Sequence, residues 1–132
     1  GWQVWPPGLF DVLQQVHRTF GLPIWITENG CADSGDEARR RYLLAHLGQV
    51  HRAIRAGCDV RGYLHWTLTD NFEWREGFAK RFGIVAMDHD DPELRRRPRQ
   101  SAALLGAIAS TGEISQELVD LHGPGALDRW PG

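Results

Sequence analysis

The chain is 132 residues long, 42 % hydrophobic and 24 % charged, with a formal net charge of −2 at pH 7. This is the make-up of one globular domain, not of a disordered or fibrous chain. The faintly acidic balance argues against a nucleic-acid binder, which needs a basic face, and no apolar run is long enough for a membrane span. Two cysteines, Cys31 and Cys58, are too few for a disulfide framework and lack metal-ligand spacing, so the default setting is reduced and cytoplasmic. The first residue is Gly1 rather than Met and no signal peptide opens the chain, which reads as a processed or truncated piece.

Residues 1–8 are aromatic and Pro-rich and lead as a loop into a helix, with Pro7 in its first turn. Leu9, Val12, Leu13, Val16 and Phe20 form its apolar stripe, and Gly21 and Pro23 stop it. Ile24–Thr27 reads as a fully buried parallel strand that ends in the loop chemistry of Glu28-Asn29-Gly30. A second helix is predicted from Asp36 to Arg55, with Leu43, Leu47, Val50 and Ile54 inward, Asp36 as N-cap and Gly57 as C-cap. Val60–Leu68 is a second strand, and Thr69–Gly83 a long aromatic and charged loop. Arg95, Arg96, Arg97 and Arg99 read as a solvated approach to a third helix, Pro98–Ser110, with Ala102, Leu105 and Ile108 inward. Residues 113–132 form a weakly patterned tail, expected to be poorly ordered, with a short helix near Gln116–Leu121.

Strands alternating with helices imply parallel β/α units covered on both faces. Two parallel strands alone leave both edges open. The chain therefore reads as a slice of a larger α/β layer or barrel.

Six aromatic residues crowd between positions 63 and 82: Tyr63, Trp66, Phe72, Trp74, Phe78 and Phe82. Asp70, Asn71, Glu73 and Arg75 share that window. Such a mixture suits a sugar ring, whose C–H faces pack on an indole plane while its hydroxyls need donors and acceptors at the rim. The same aromatics would also serve to fill a core, and composition leaves both readings open. Glu28 directly follows a buried strand, at the carboxyl end where parallel α/β architectures place catalytic groups. A carboxylate there acts as a nucleophile or base, or sits as a hydrogen-bonded loop residue.

Thr27-Glu28-Asn29-Gly30, after its apolar run, resembles the nucleophile segment of family 1 glycoside hydrolases, the β-glucosidase family. Gly62-Tyr63-Leu64-His65-Trp66-Thr67-Leu68-Thr69-Asp70-Asn71-Phe72-Glu73-Trp74 is similar to that family's last barrel strand and sugar-recognition loop. Arg81-Phe82-Gly83-Ile84-Val85, Arg97-Pro98-Arg99-Gln100-Ser101-Ala102 and the opening Gly1-Trp2-Gln3-Val4-Trp5-Pro6-Pro7-Gly8-Leu9 continue the likeness in the same order. Gln3 and Thr67 depart from the glutamate and serine common in the family. His65 and Thr69 occupy positions that usually vary or are aliphatic.

The resemblance implies an α/β fold, the C-terminal part of a (β/α)8 TIM barrel formed by residues 1–112. It would supply the last two β/α units, and is incomplete as a barrel on its own. It implies a retaining β-glycosidase of the β-glucosidase type, hydrolysing terminal β-D-glycosyl residues through a covalent glycosyl-enzyme on Glu28. Glu73 matches the carboxylate that takes the 4- and 6-hydroxyls, Trp74 the indole donor to the 3-hydroxyl, Trp66 the platform under the ring and Phe82 a pocket wall. Asp70 is expected to fix the loop.

The family's acid/base lies in an Asn-Glu-Pro segment that this sequence lacks, so the isolated chain is expected to be inactive. Its implied partners are a β-glucoside or related carbohydrate and the missing N-terminal part of the barrel, with no nucleic acid and no membrane. No cofactor and no metal is expected, since the six histidines form no ligand pattern and no phosphate-binding Gly-rich loop exists. Two other classes stay open: a non-catalytic carbohydrate-binding remnant, or a small α/β interaction module with exposed sheet edges.

Overall fold

The computed structural model describes residues 3–127; Gly1 and Trp2 of the opening segment and residues 128–132 of the tail lie outside the described residues. The order is α1 (Pro6–Phe20), β1 (Ile24–Asn29), α2 (Glu37–Arg55), β2 (Val60–His65), a 3-10 turn (Trp74–Glu76), β3 (Val85–Met87), β4 (Arg96–Pro98), α3 (Gln100–Thr111) and α4 (Gln116–His122). Prolines in the first turn of α1 lose no hydrogen bond, because those N–H groups have no intrahelical partner. Its end is set by Gly21, left-handed at φ 61, whose N–H reaches the His17 carbonyl at 2.9 Å.

β1 and β2 are parallel neighbours, joined by α2 as the crossover, with Ile24 opposite Val60 and Ile26 opposite Tyr63. Trp25 lies flat over Gly62, where a Cβ would fall 2.0 Å from the ring. On one side of this sheet, Leu13 of α1, Ile26, Val50 and Ala53 of α2, and Cys58 form one buried cluster. Leu43 and Leu44 of α2, Leu104 of α3, Val119 of α4 and Ala126 form a second. Tyr63 packs against both, so α2 and Tyr63 tie the two clusters into one layer.

The strands are not buried on both faces as the apolar runs suggest: Trp25 and Leu64 are exposed on the face away from the helices. Val12, Phe20 and Ile54 also lie outside the core, their stripe positions being turned from the neighbouring helix. α2 instead buries Leu43, Leu44, Ala45, His46, Gln49, Val50 and Ala53, since α1 covers one side of it and α3 and α4 the other. β1 runs on through Glu28 and Asn29 rather than ending at Thr27. β2 stops at His65, because residues 67–70 leave β1 and bond to 82–85.

β3 and β4 form an antiparallel pair that periodicity could not register, being three residues each, one of them Arg-Arg-Pro. α3 starts at Gln100 and buries Ser101 and Leu104 fully, with Leu105 and Ile108 partly buried beside them. Residues 113–127 carry α4, capped by the Ser115 hydroxyl at 3.3 Å from Leu118 N–H, and bury Val119 and Ala126 against α2 and α3. Among the described residues, no helix is long and apolar enough to cross a membrane.

Leu104 is 0 % exposed between α2 and α4. Leu104→Ala is therefore expected to cost about 2–5 kcal/mol, lost transfer energy plus a cavity, read as a lower urea midpoint at unchanged slope.

Candidate active site

Glu28 and Trp66 stand together at the carboxyl ends of two adjacent parallel strands. The Trp66 N–H donates to the Asn29 carbonyl at 3.0 Å. Between Ile26 and Asn29, β1 takes three steps where β2 takes two, from Tyr63 to His65. One extra residue of this kind bends a strand and re-aims its side chains. Asn29 thereby turns to the helix layer, where its carboxamide oxygen accepts the Tyr63 hydroxyl at 2.9 Å. Glu28 is left exposed, with no hydrogen-bond or ion-pair partner for its carboxylate among the described residues. Gly30 completes the corner: a Cβ there would sit 1.8 Å from the Trp66 carbonyl oxygen. The Trp66–Thr67 peptide that follows is cis.

From this corner the chain enters the aromatic loop, which is laddered to the segment before β3. Ile84 N–H donates to the Thr67 carbonyl at 3.0 Å, Val85 N–H to Leu68 at 2.8 Å and Asp70 N–H to Val85 at 3.2 Å. Phe82, whose carbonyl accepts the Thr67 N–H, is buried. Glu73 accepts from the Asn71 side chain at 2.8 Å, and its backbone N–H closes a turn on the Gly77 carbonyl at 2.7 Å. Trp74 follows at φ 44, a left-handed conformation uncommon outside glycine, and is 84 % exposed. Phe72 and Phe78 meet edge to face at 5.3 Å on the exposed side of the loop, and His89 lies tilted against Phe78 at 3.9 Å. Thus Glu28 and Trp66 meet at one end of the sheet, and the Phe82 backbone is tied to Thr67 beside them. Glu73 and Trp74 stand on the adjoining loop, with no hydrogen bond or ring contact to Glu28 or Trp66 among the described residues.

Two buried carboxylates hold these loops. Asp70, 2 % exposed, accepts both guanidinium nitrogens of Arg99, at 3.1 and 2.9 Å, and the N–H groups of Gly83 and Met87. Burial pushes the Asp70 carboxyl up, but the Arg99 bonds and the two N–H donors outweigh it and hold it below the usual range. Asp36 does not cap its own helix; its carboxylate accepts the Ser101 N–H at 2.9 Å and the Ser101 hydroxyl at 2.5 Å, at the start of α3. Its partner cation is Arg39, fully buried. His65 lies beside Gly30, and burial lowers its imidazole to about 4. Burial likewise pushes the Cys31 thiol up to about 11 and raises the Tyr63 hydroxyl further.

Residues 1–114 match glycosyl hydrolase family 1. The chain belongs to this family. It is 47 % identical over 122 residues to a β-galactosidase of Saccharolobus solfataricus, covering 92 % of this chain and 24 % of that protein. It is 43 % identical over 99 residues to β-glucosidase A of Thermotoga maritima, covering 67 % of this chain and 22 % of the other. The solved β-glycosidase of Pyrococcus horikoshii superposes with a TM-score of 0.86 at 46 % identity, over 93 % of this chain and 28 % of that one. The chain thus spans about a quarter of the length of these relatives. Its two parallel β/α elements are an α/β fragment of the barrel that family 1 glycosidases share.

Arg39, Arg99 and Tyr63 support the site but do not stand out in the sequence as functional. Arg99 sits in a run whose other members, Arg95, Arg96 and Arg97, are exposed as a solvated run should be; only Arg99 turns inward. The available signal for Arg39 was its i, i+3 spacing from Asp36.

His65 folds with its pKa near 4 against an ordinary 6.5, so the unfolded chain binds the extra proton between those values. Stability is then fully present above pH 6.5 and falls as pH drops towards 4, a trend to which the lowered His46 and His122 add. Below about 4, protonation of Asp70 continues the loss. Melting temperatures of the wild type and His65→Gln across pH 3–7 test this, the variant losing less between pH 6.5 and 4.

Proposed function

We propose that this chain is the C-terminal part of a retaining β-glycosidase, contributing the last two β/α units of a (β/α)8 barrel. Glu28 is the nucleophile in this reading, and attacks the anomeric carbon to form a glycosyl-enzyme that water then hydrolyses. What carries the reading is an unpaired carboxylate at the end of one parallel strand beside an indole at the end of the next, with the strand irregularity that turns Glu28 out. That is where barrels of this kind place their chemistry.

The substrate is a terminal β-D-glycosyl residue. Relatives named β-galactosidase and β-glucosidase support a gluco- or galacto-configured ring. Glu73 takes its 4- and 6-hydroxyls and Trp74 donates to the 3-hydroxyl. Trp66 lies under the ring, and Phe82 backs the wall. No cofactor enters this chemistry, because two carboxyl groups suffice for it.

The second carboxyl group, the acid/base, belongs about 5–5.5 Å from the nucleophile in a retaining enzyme. The Asp70 carboxylate is consumed by Arg99, Gly83 and Met87, and Glu73 is turned to Asn71. The acid is therefore assigned to the preceding barrel units. The exposed face of Trp25 and Leu64 supports a partner of that kind, since strands of a parallel barrel are covered on both sides.

Two measurements test this. The isolated chain is expected to hydrolyse no aryl β-glucoside or β-galactoside above background, and joining it to the six preceding units, in one chain or as fragments, restores turnover. Robust hydrolysis by the 132 residues alone would overturn the division of labour. In the joined protein, Glu28→Gly is expected to lower kcat at least ~10³-fold with the fold retained, as the loss of a nucleophile does; near-wild-type kcat would remove Glu28 from the mechanism.

A further inference from the structure

Arg39 is 0 % exposed, and its two terminal guanidinium nitrogens bond the β1–α2 connection and the segment before Phe82 at once. Nη1 donates to the Asp36 carboxylate at 2.5 Å, and Nη2 to the carbonyls of Asp33 and, at 2.5 Å, Arg81. Its backbone N–H reaches the Asp33 carboxylate at 3.1 Å. Asp33 lies in the loop that follows Glu28-Asn29-Gly30. Arg81 immediately precedes Phe82, whose carbonyl accepts the Thr67 N–H. The Arg81 carbonyl also takes the Asp33 N–H at 2.8 Å, so the two loops meet at one oxygen and Arg39 clamps that meeting point. Asp36 extends the clamp to Ser101, two residues from Arg99, which grips Asp70 in the aromatic loop.

Two charges removed from water recover little net stability from each other, because desolvation offsets their attraction. A planar fork with a fixed set of donors instead fixes geometry, which an ammonium on a flexible stem cannot do. We propose that Arg39 is a positioning residue, whose buried guanidinium sets the spacing between the Glu28 end of β1 and the loop bearing Glu73 and Trp74. The proposal rests on the nucleophile and sugar-loop reading above. It adds a residue that touches neither substrate nor reacting atoms. Asp70 and Arg99 hold the sugar loop internally. Arg39 governs where that loop stands relative to the nucleophile.

The test uses the complete barrel protein, with Arg39→Lys, Arg39→Met and the double variant Asp36→Asn/Arg39→Met, which leaves no lone buried charge behind. Displacing a nucleophile by ~1 Å costs on the order of 10²-fold in rate. Arg39→Met and the double variant are therefore expected to lose about that factor in kcat, measured well below their melting temperatures. Inhibition by the free sugar, which reads the intact glycone loop, stays within about threefold in each. Arg39→Lys, keeping the charge but not the fork, recovers only part of kcat.

Hydrogen exchange at the Asp33 amide, which bonds the Arg81 carbonyl, is expected to accelerate in all three variants while the amides of β1 and β2 stay protected. Unchanged kcat with only a lower melting temperature would overturn the proposal, reducing Arg39 to a stabilising residue. Unchanged exchange at Asp33 would overturn it whatever the activity. Absence of turnover in the unsubstituted complete protein would count against the glycosidase reading instead, and the exchange measurement would still decide whether Arg39 sets the spacing.

Discussion

One backbone hydrogen bond, from the Trp66 N–H to the Asn29 carbonyl, is the constraint on which the candidate site depends. It ends two parallel strands at the same level and so brings an indole and a carboxylate, far apart in sequence, to a single corner. The bond forms only because Gly30 has no side chain to collide with the Trp66 carbonyl. The extra residue in β1 then decides which way the corner faces. Asn29 is pulled to the helix layer by the Tyr63 hydroxyl, and Glu28 is sent to the open side by default. A motif read as four letters, Thr-Glu-Asn-Gly, thus separates into a side chain with chemistry, a side chain that anchors and a glycine that makes room.

The loops beyond this corner are held by charge rather than by apolar burial. Trp74, Phe72 and Leu68 are all exposed, so the aromatic loop gains little from the hydrophobic effect in this chain. Its shape comes from Asp70, whose acceptor capacity is filled by Arg99 and two backbone N–H groups. Such a carboxylate is fully satisfied in a buried setting, where an unpaired one would be costly. Asp36 does the same work for α3, offering a carboxylate to its first-turn N–H and hydroxyl, where the helix dipole favours negative charge. Polar side chains here do the positioning that apolar contacts perform between α2 and its neighbours.

Which parts were legible in the sequence follows from how local each signal is. β1 and β2 stood out because short β-branched and aromatic runs are bounded by Gly, Pro and Asn, and α1 and α2 because their stripes are long. The segments around Glu28 and from Trp66 to Trp74 were legible through their likeness to family motifs. Their convergence was legible only through the resemblance, since nothing local says that residues 29 and 66 meet. Asp36 shows the limit well. A carboxylate just before a helix is the ordinary N-cap, but its hydrogen bonds run to a residue 65 positions away, beyond any local rule. The apolar stripe of α2 likewise hid Arg39, His46 and Gln49, which are buried because helices flank α2 on two sides. β3 and β4 escaped because three residues cannot show a period, and an Arg-Arg-Pro strand has none of the usual β composition.

The remaining open face of the sheet ties stability to function. Trp25 and Leu64 present large apolar surfaces on the side away from the helices, beside the corner where Glu28 is exposed. A parallel sheet gains its stability by burial on both faces, so whatever covers Trp25 and Leu64 also encloses the approach to Glu28. In the proposed glycosidase reading enclosure matters chemically as well, because a carboxylate stripped of bulk water is a stronger nucleophile and its glycosyl ester is shielded from untimed hydrolysis. On that reading, the elements that complete the core and those that complete the catalytic pair are required on the same side of β1 and β2. A partner supplying only one of the two would leave the proposed nucleophile either wet or buried without its acid.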